Sequence, residues 1–433
     1  MTDIATNRPL TKGDAKTLAL ASLGGALEFY DFIIYVFFAA VIGKLFFPPD
    51  MPEWLEQIQT FGIFAAGYLA RPLGGIIMAH FGDKTGRKRM FTLSIFMMAV
   101  PTLLIGLMPT YASIGYAAPV LLLVMRIFQG AAIGGEAPGA WVFVSEHVAE
   151  NRVGLACGLL TGGLTGGILL GSLMATAINY VYSPAAIHDW VWRIPFLVGG
   201  VFGFVAMYLR RWLSETPVFE AMRARKATVQ DMPMKQVLSG HGPAVIVCML
   251  ATWMLTAIVV VVILTTPTLM QRLHGIAPLT TLIGSVAATL AITVSAIAVG
   301  ALIDRFGVLA VSLVGGPLMI AATYALFIGT AADPARLVPL YALAGLAAGM
   351  ITIVPVIMVR AFPGAVRFSG VSFSYNVAYA VFGGLTPVAV QVLLTSDTLG
   401  PAHYVAGATV IGMVAAIANV WRAAGRPVAL PAG

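Results

Sequence analysis

Charge is the first thing this chain lacks. Asp, Glu, Lys and Arg make up 10% of its 433 residues, against about 25% in an ordinary soluble domain. With 59% of the residues apolar, too little polar surface remains to face water, and a soluble fold is excluded. Cysteine is scarce as well. Cys157 and Cys248 both fall inside apolar runs, which excludes a disulfide framework and leaves them as small buried filler. No GxxxxGK(S/T) phosphate loop is present, so direct ATP drive is unsupported. No Cys/His cluster has zinc spacing, and no nucleophile and base can be placed in one site. Neither a metal nor a cofactor is expected, no residue is assigned as catalytic, and an enzyme is rejected.

Long apolar runs take the place of what is missing. Windows near 17–43, 58–81, 90–109, 116–140, 153–180, 190–210, 243–270, 278–302, 308–330, 337–359, 369–394 and 402–421 each hold the roughly 20 apolar residues that a transmembrane helix needs. The polar N-terminus lacks a cleavable signal pattern, so span 1 enters from the side holding Lys12 and Lys16. The net charge of +7 follows the connections rather than a nucleic-acid surface. Lys84, Arg87, Lys88, Arg89, Arg152, Arg210, Arg211, Arg223, Arg225, Lys226, Lys235, Arg305, Arg360 and Arg367 lie on one side. Only Lys44, Arg193, Arg272 and Arg336 lie on the other. That asymmetry places both termini in the cytoplasm of an inner-membrane protein. The expected organisation is a tail at 1–16, a six-helix bundle at 17–210, a cytoplasmic linker with an amphipathic helix at 211–242, a second six-helix bundle at 243–421 and a tail at 422–433.

Against this apolar background the few buried charges stand out. Glu28 and Asp31 lie three residues apart within GGALEFYDFIIYVFFAAVIG, and Tyr35 follows four residues later on the same helical face. Each acid costs roughly 2.5–3.5 kcal/mol at a bilayer centre, so packing alone does not account for them. They are the candidates for proton coupling. Arg71 in span 2 and Arg126 in span 4 stay protonated and present forks suited to carboxylates. Two arrangements are open: a substrate carboxylate competes with the protein acids for a guanidinium, or the four groups form a fixed salt-bridge network. Glu136, near the cytoplasmic end of span 4, is a third proton-coupling candidate, with a role in the loop network as its rival. The C-terminal half has no charge deep in its spans and offers Trp253, Tyr375, Asn376 and Tyr379 as pocket residues.

The halves repeat a loop pattern. AHFGDKTGRKR follows span 2 and GALIDRFG follows span 8, so Asp83 and Asp304 are equivalent, each followed by a base (Lys84, Arg305) and then a glycine (Gly86, Gly307). A tight glycine turn brings a carboxylate and cations, Arg87 among them, to a helix end, where they can lock one packing of the halves. These loops resemble the major facilitator superfamily signature GxxxD(R/K)xGR(R/K), with Ala79 replacing the first glycine in copy one. EFYDF, ARPLGG, RIFQGAAIGGE, WRIPF, ETPVF and SFSYNVAYAVFGGLTP narrow the resemblance to the metabolite:proton symporter family and add Tyr30 and Gln129 to the substrate-binding candidates. The run from Gly158 through Gly162 to Gly166 and Gly167 is similar to the antiporter motif GxxxGPxxGG, with Gly163 in place of its proline.

The resemblance implies an all-α integral membrane protein with twelve transmembrane helices in two pseudo-symmetric six-helix bundles. It implies proton-linked transport of small carboxylates, keto acids, shikimate-like acids or zwitterionic osmolytes, a transport class and not a substrate. The expected protein is a monomer in the lipid bilayer that moves a small anionic organic acid inward with protons by alternating access. A zwitterionic osmolyte of the betaine or proline type, and a proton antiporter or exporter on the same fold, are the alternatives.

Overall fold

The computed structural model describes residues 8–85, 87–210, 212, 220 and 233–424. Gly86 and most of 211–232 lie outside the described residues, and so does the ETPVF motif at 215–219. Among the described residues, twelve long helices carry the fold. They are α1 (Lys12–Phe37), α2 (Glu53–Thr85), α3 (Arg87–Leu107), α4 (Ala117–His147), α5 (Val153–Val181), α6 (Arg193–Arg210), α7 (Gly242–His274), α8 (278–306), α9 (308–332), α10 (Pro334–Ala361), α11 (Gly364–Leu394) and α12 (Gly400–Ala424). A short helix, Ala39–Phe46, follows α1, and another, Pro233–Gly240, precedes α7.

Helices α8 and α9 form one 55-residue run, Pro278–Ala332. At 1.5 Å per residue this is about 80 Å, well over twice the hydrocarbon thickness, so the chain must reverse within it. It does so at Gly307, whose φ of 83° and ψ of 161° are open only to glycine. Sequence reading separates the spans at this glycine, and the structure supplies the backbone reason.

The first helix starts earlier than hydropathy predicts. Thr11 and Asp14 form a capping box, the Asp14 amide donating to Thr11 Oγ1 at 3.1 Å and the Thr11 amide to Asp14 Oδ2 at 2.9 Å. Two N-terminal amides are thereby satisfied, and the helix gains a polar turn before its apolar stretch. The outer face of the bundle is apolar, with Leu69, Leu73, Val294 and Leu318 all exposed. Tyr116, Tyr180 and Trp421 are exposed at helix ends, the positions of an interfacial aromatic belt.

Small residues set the helix crossings. A Cβ on Gly74 would lie 2.1 Å from Ala131 O, and one on Gly130 would lie 1.9 Å from Gly67 O, so α2 and α4 touch backbone to backbone. The glycines of α5 serve two faces. Gly154 and Gly158 meet Gly300 of α8, while Gly163 and Gly167 meet the backbone of α1 at Ser22 and Ala26. Gly163, the departure from the antiporter pattern, is therefore a contact point. The two six-helix sets join chiefly along α5–α8 and α2–α11, with α4 also touching α11.

Candidate functional site

Arg71 lies in α2 one residue before Pro72, on the surface that meets α11. It is 1% exposed, yet no carboxylate among the described residues meets it. Its company is aromatic: Cζ lies 5.5 Å from the ring centroid of Tyr68, 5.3 Å from that of Tyr375 and 4.1 Å from that of Tyr379. The Tyr68 and Tyr379 rings are stacked at 5.7 Å, and Tyr375 tilts against Tyr379 at 4.9 Å. Nε donates to Asn376 Oδ1 over a long 3.4 Å, and Nη2 has no hydrogen-bond partner among the described residues. Cation–π contacts of about 0.5–2 kcal/mol each, taken three times, are of the same order as the several kcal/mol that burying an ion costs. The rings hold the cation in place of a counter-ion, and the guanidinium keeps unused donor capacity.

Asn376 stitches the halves together. Its Nδ2 donates to Gly134 O at 2.6 Å across to α4 and to Ser372 O at 2.8 Å in its own helix, while Oδ1 accepts from Arg71. The Gly134 carbonyl is available because the residue four positions on is Pro138, which has no N–H to donate. Space for the amide comes from Gly75, where a Cβ would lie 2.4 Å from Asn376 Nδ2. A proline in one half thus creates an acceptor that an asparagine in the other half satisfies. The same device recurs where Tyr341 donates to Ile263 O at 2.9 Å, the carbonyl freed by Pro267.

The second guanidinium, Arg126 of α4, is fully buried against α1. Nη1 donates to Gln129 Oε1 at 2.9 Å and to Phe32 O at 3.3 Å, and Cζ sits 4.5 Å from the Phe32 ring and 4.4 Å from the Tyr35 ring. Gln129 Nε2 continues the chain by donating to Thr102 Oγ1 of α3 at 2.7 Å.

Asp31 takes a position that the sequence does not specify. It is fully buried, neither carboxyl oxygen has a hydrogen-bond partner among the described residues, and it is wedged between α1, α3 and α6. A Cβ on Gly199 would lie 2.5 Å from its Oδ1 and 2.9 Å from the Thr102 methyl, and one on Gly203 would lie 3.3 Å from its Oδ2. Asp31 and the Thr102–Gln129–Arg126 chain therefore meet at one point on α6. Arg71 faces α11 instead, and a salt bridge from it to Asp31 does not form. Glu28 is buried on the same helix.

The remaining candidates scatter. Tyr30 donates to Pro195 O at 2.9 Å and packs edge-on against Phe202, tying α1 to α6. Tyr35 donates to Thr60 O at 3.1 Å. Trp253 stacks on Phe382 at 4.3 Å and donates from Nε1 to Tyr404 at 3.0 Å, within the C-terminal half. Glu136 is buried and accepts a hydrogen bond from Ser94 Oγ.

Asp304 accepts from the amides of Gly154 and Leu155 at 2.7 and 2.8 Å, capping the N-terminus of α5 from the other half. Arg305 is exposed, its guanidinium 5.1 Å from the Phe306 ring. Asp83, Lys84 and Arg87 lie in helical backbone with side chains outside the described set, and Gly86 is outside it altogether.

Sequence reasoning missed Tyr68, Thr102 and the pair Arg367–Glu146, whose Nη1 and Oε1 are 3.1 Å apart. Tyr68 had a signal, three residues before Arg71 on one helical face. Pro138 had one too, four residues after Gly134.

Two sets of six helices, joined along α5–α8 and α2–α11 with Asp31, Arg71 and Arg126 buried among them, agree with known families on comparison. The description Major Facilitator Superfamily matches residues 21–387. The chain belongs to the major facilitator superfamily. Among its similar relatives, the citrate-proton symporter of Klebsiella pneumoniae is 32% identical over 420 residues, covering 94% of this chain and 92% of that one. The proline/betaine transporter of Salmonella typhimurium is 31% identical over 452 residues, covering 97% and 88%. The solved proton:xylose symporter XylE superposes with a TM-score of 0.77 at 16% identity, covering 94% of this chain and 95% of that chain, a likeness of fold. Membership of this superfamily makes the chain a membrane transporter rather than an enzyme.

Proposed function

We propose that this facilitator is a proton-coupled symporter that takes up a small carboxylate-bearing metabolite by alternating access. It would sit as a monomer in the inner membrane with both termini cytoplasmic. The observation that carries the reading is Asp31, a fully buried carboxyl with neither oxygen hydrogen-bonded among the described residues. An ionised carboxylate there would cost several kcal/mol with nothing to offset it, so this closed arrangement favours the protonated acid. When α1, α3 and α6 part and water enters, the proton can leave. Thr102, at the meeting point, passes that movement through Gln129 to Arg126. Arg126 and Arg71 are the proposed contacts for the substrate carboxylate. Arg126→Lys, which loses the fork, is expected to weaken substrate binding.

The citrate relative favours an organic acid and the proline/betaine relative a zwitterion; both carry the carboxylate that this reading needs. Proteoliposomes test the coupling. Asp31→Asn is expected to lose accumulation driven by an inward proton gradient while keeping substrate counterflow. Full gradient-driven accumulation by the variant would sink the assignment. Proton-driven loss of substrate from the vesicles would favour the exporter alternative.

A further inference from the structure

We propose that Tyr68, Tyr375 and Tyr379 form a binding site for the ammonium end of the substrate, so that the transported solute is a zwitterion with a weakly hydrated onium group and a carboxylate. This rests on the reading above that Arg71 takes a substrate carboxylate. The rings lie within 5.5 Å of one cation, and all three tyrosines are at most 5% exposed. An arginine kept at this depth for structure alone gains most from a carboxylate or several carbonyls. Among the described residues Arg71 has one long hydrogen bond, an unpartnered Nη2 and three π faces.

Those faces attract any compact cation that sheds water easily, and a trimethylammonium group, which has no donor to satisfy, forfeits nothing among them. The guanidinium is thus the resident occupant of a site that a substrate onium can take over. The exchange is balanced: the onium replaces Arg71 over the rings, and the carboxylate meets the displaced guanidinium. No net charge enters the buried site. A plain anion would draw Arg71 away and leave the rings empty, and a plain cation would set two positive charges in one cage. Tyr68 belongs to α2 and the other two rings to α11, so the cage is complete only while these helices are in contact. Occupancy is thereby linked to closure of the halves.

Calorimetry on the purified full-length protein tests this with glycine betaine, its uncharged-tail isostere 3,3-dimethylbutyrate, and choline. Betaine is expected to bind about tenfold or more tighter than either. Tyr379→Leu should erase the preference for betaine over the isostere, and Tyr379→Phe, which keeps the face, should retain most of it. Equal binding of betaine and 3,3-dimethylbutyrate, absence of betaine binding, or an equal loss for both ligands in Tyr379→Leu would overturn the proposal. Proton-driven uptake of citrate or 3,3-dimethylbutyrate without betaine uptake would also overturn it, while leaving carboxylate symport standing. Failure of all proton-driven uptake, with betaine still preferred in binding, would instead strike the symport reading.

Discussion

Asn376 shows how one side chain can serve three helices. It holds Arg71 of α2, fills the carbonyl that Pro138 leaves open in α4, and bonds within α11. Asn376→Leu leaves a buried acceptor and a buried donor unmet, and should lower stability by about 1–3 kcal/mol. Pro138→Ala restores an N–H that can reach Gly134 O, so the double variant should lose less than the sum of the single ones, with a coupling of about 1 kcal/mol. Reversible denaturation of the four proteins measures it, and strict additivity would show that Asn376 acts elsewhere. Asp31 works in the opposite manner. It is left unsatisfied where Asn376 is saturated, which suits one to exchange a proton and the other to hold helices.

Among the elements, the α8–α9 reversal and the glycine seams answer different needs. Gly307 is required by its backbone: no atom lies within 4 Å of a Cβ placed there, yet φ is +83°. Gly307→Ala should therefore cost about 1–3 kcal/mol through strain alone. Gly62, equally open but helical, is the control, and Gly62→Ala should be neutral or stabilising by up to about 1 kcal/mol. Thermal unfolding of the two variants separates them, and equal midpoints would refute the strain account. Gly154 and Gly158 are needed for space, since any Cβ there meets Gly300. Such seams replace the hydrophobic driving force that lipid removes from helix association.

The whole molecule is latched at the end where α1 begins. Arg367 pairs with Glu146 at 3.1 Å, Arg360 donates to Glu150 O at 3.3 Å, and Asp304 caps α5, each contact joining one half to the other. Glu146 is fully buried at its side chain, so its ion pair is worth more than an exposed one. Glu146→Gln should shift the population toward the state open at this end, by about fivefold for each kcal/mol lost. A cysteine at Phe368, which packs on Gly139, reports this in a background without Cys157 and Cys248. Its labelling in the purified protein should accelerate several-fold, and an unchanged rate would show that the latch does not hold the state.

Much of this architecture was legible from residue order. Hydropathy located the spans because lipid demands continuous apolar helices, and Gly307 marked the α8–α9 break because few residues adopt its backbone. Buried Asp31, Arg71 and Arg126 were visible as charges too costly to be incidental. Their partners were not, because a helical face is known from sequence only relative to its own axis. Rotation of α1 sets Asp31 against Gly199 and Gly203, and contact between α2 and α11 puts tyrosines of both halves around Arg71. Composition and hydropathy thus determined a twelve-span membrane protein with ionisable groups inside, and the motif resemblance added transport. Tertiary packing alone decided which of them meets a carboxylate, a ring or nothing, because that choice depends on contacts between helices far apart in the chain.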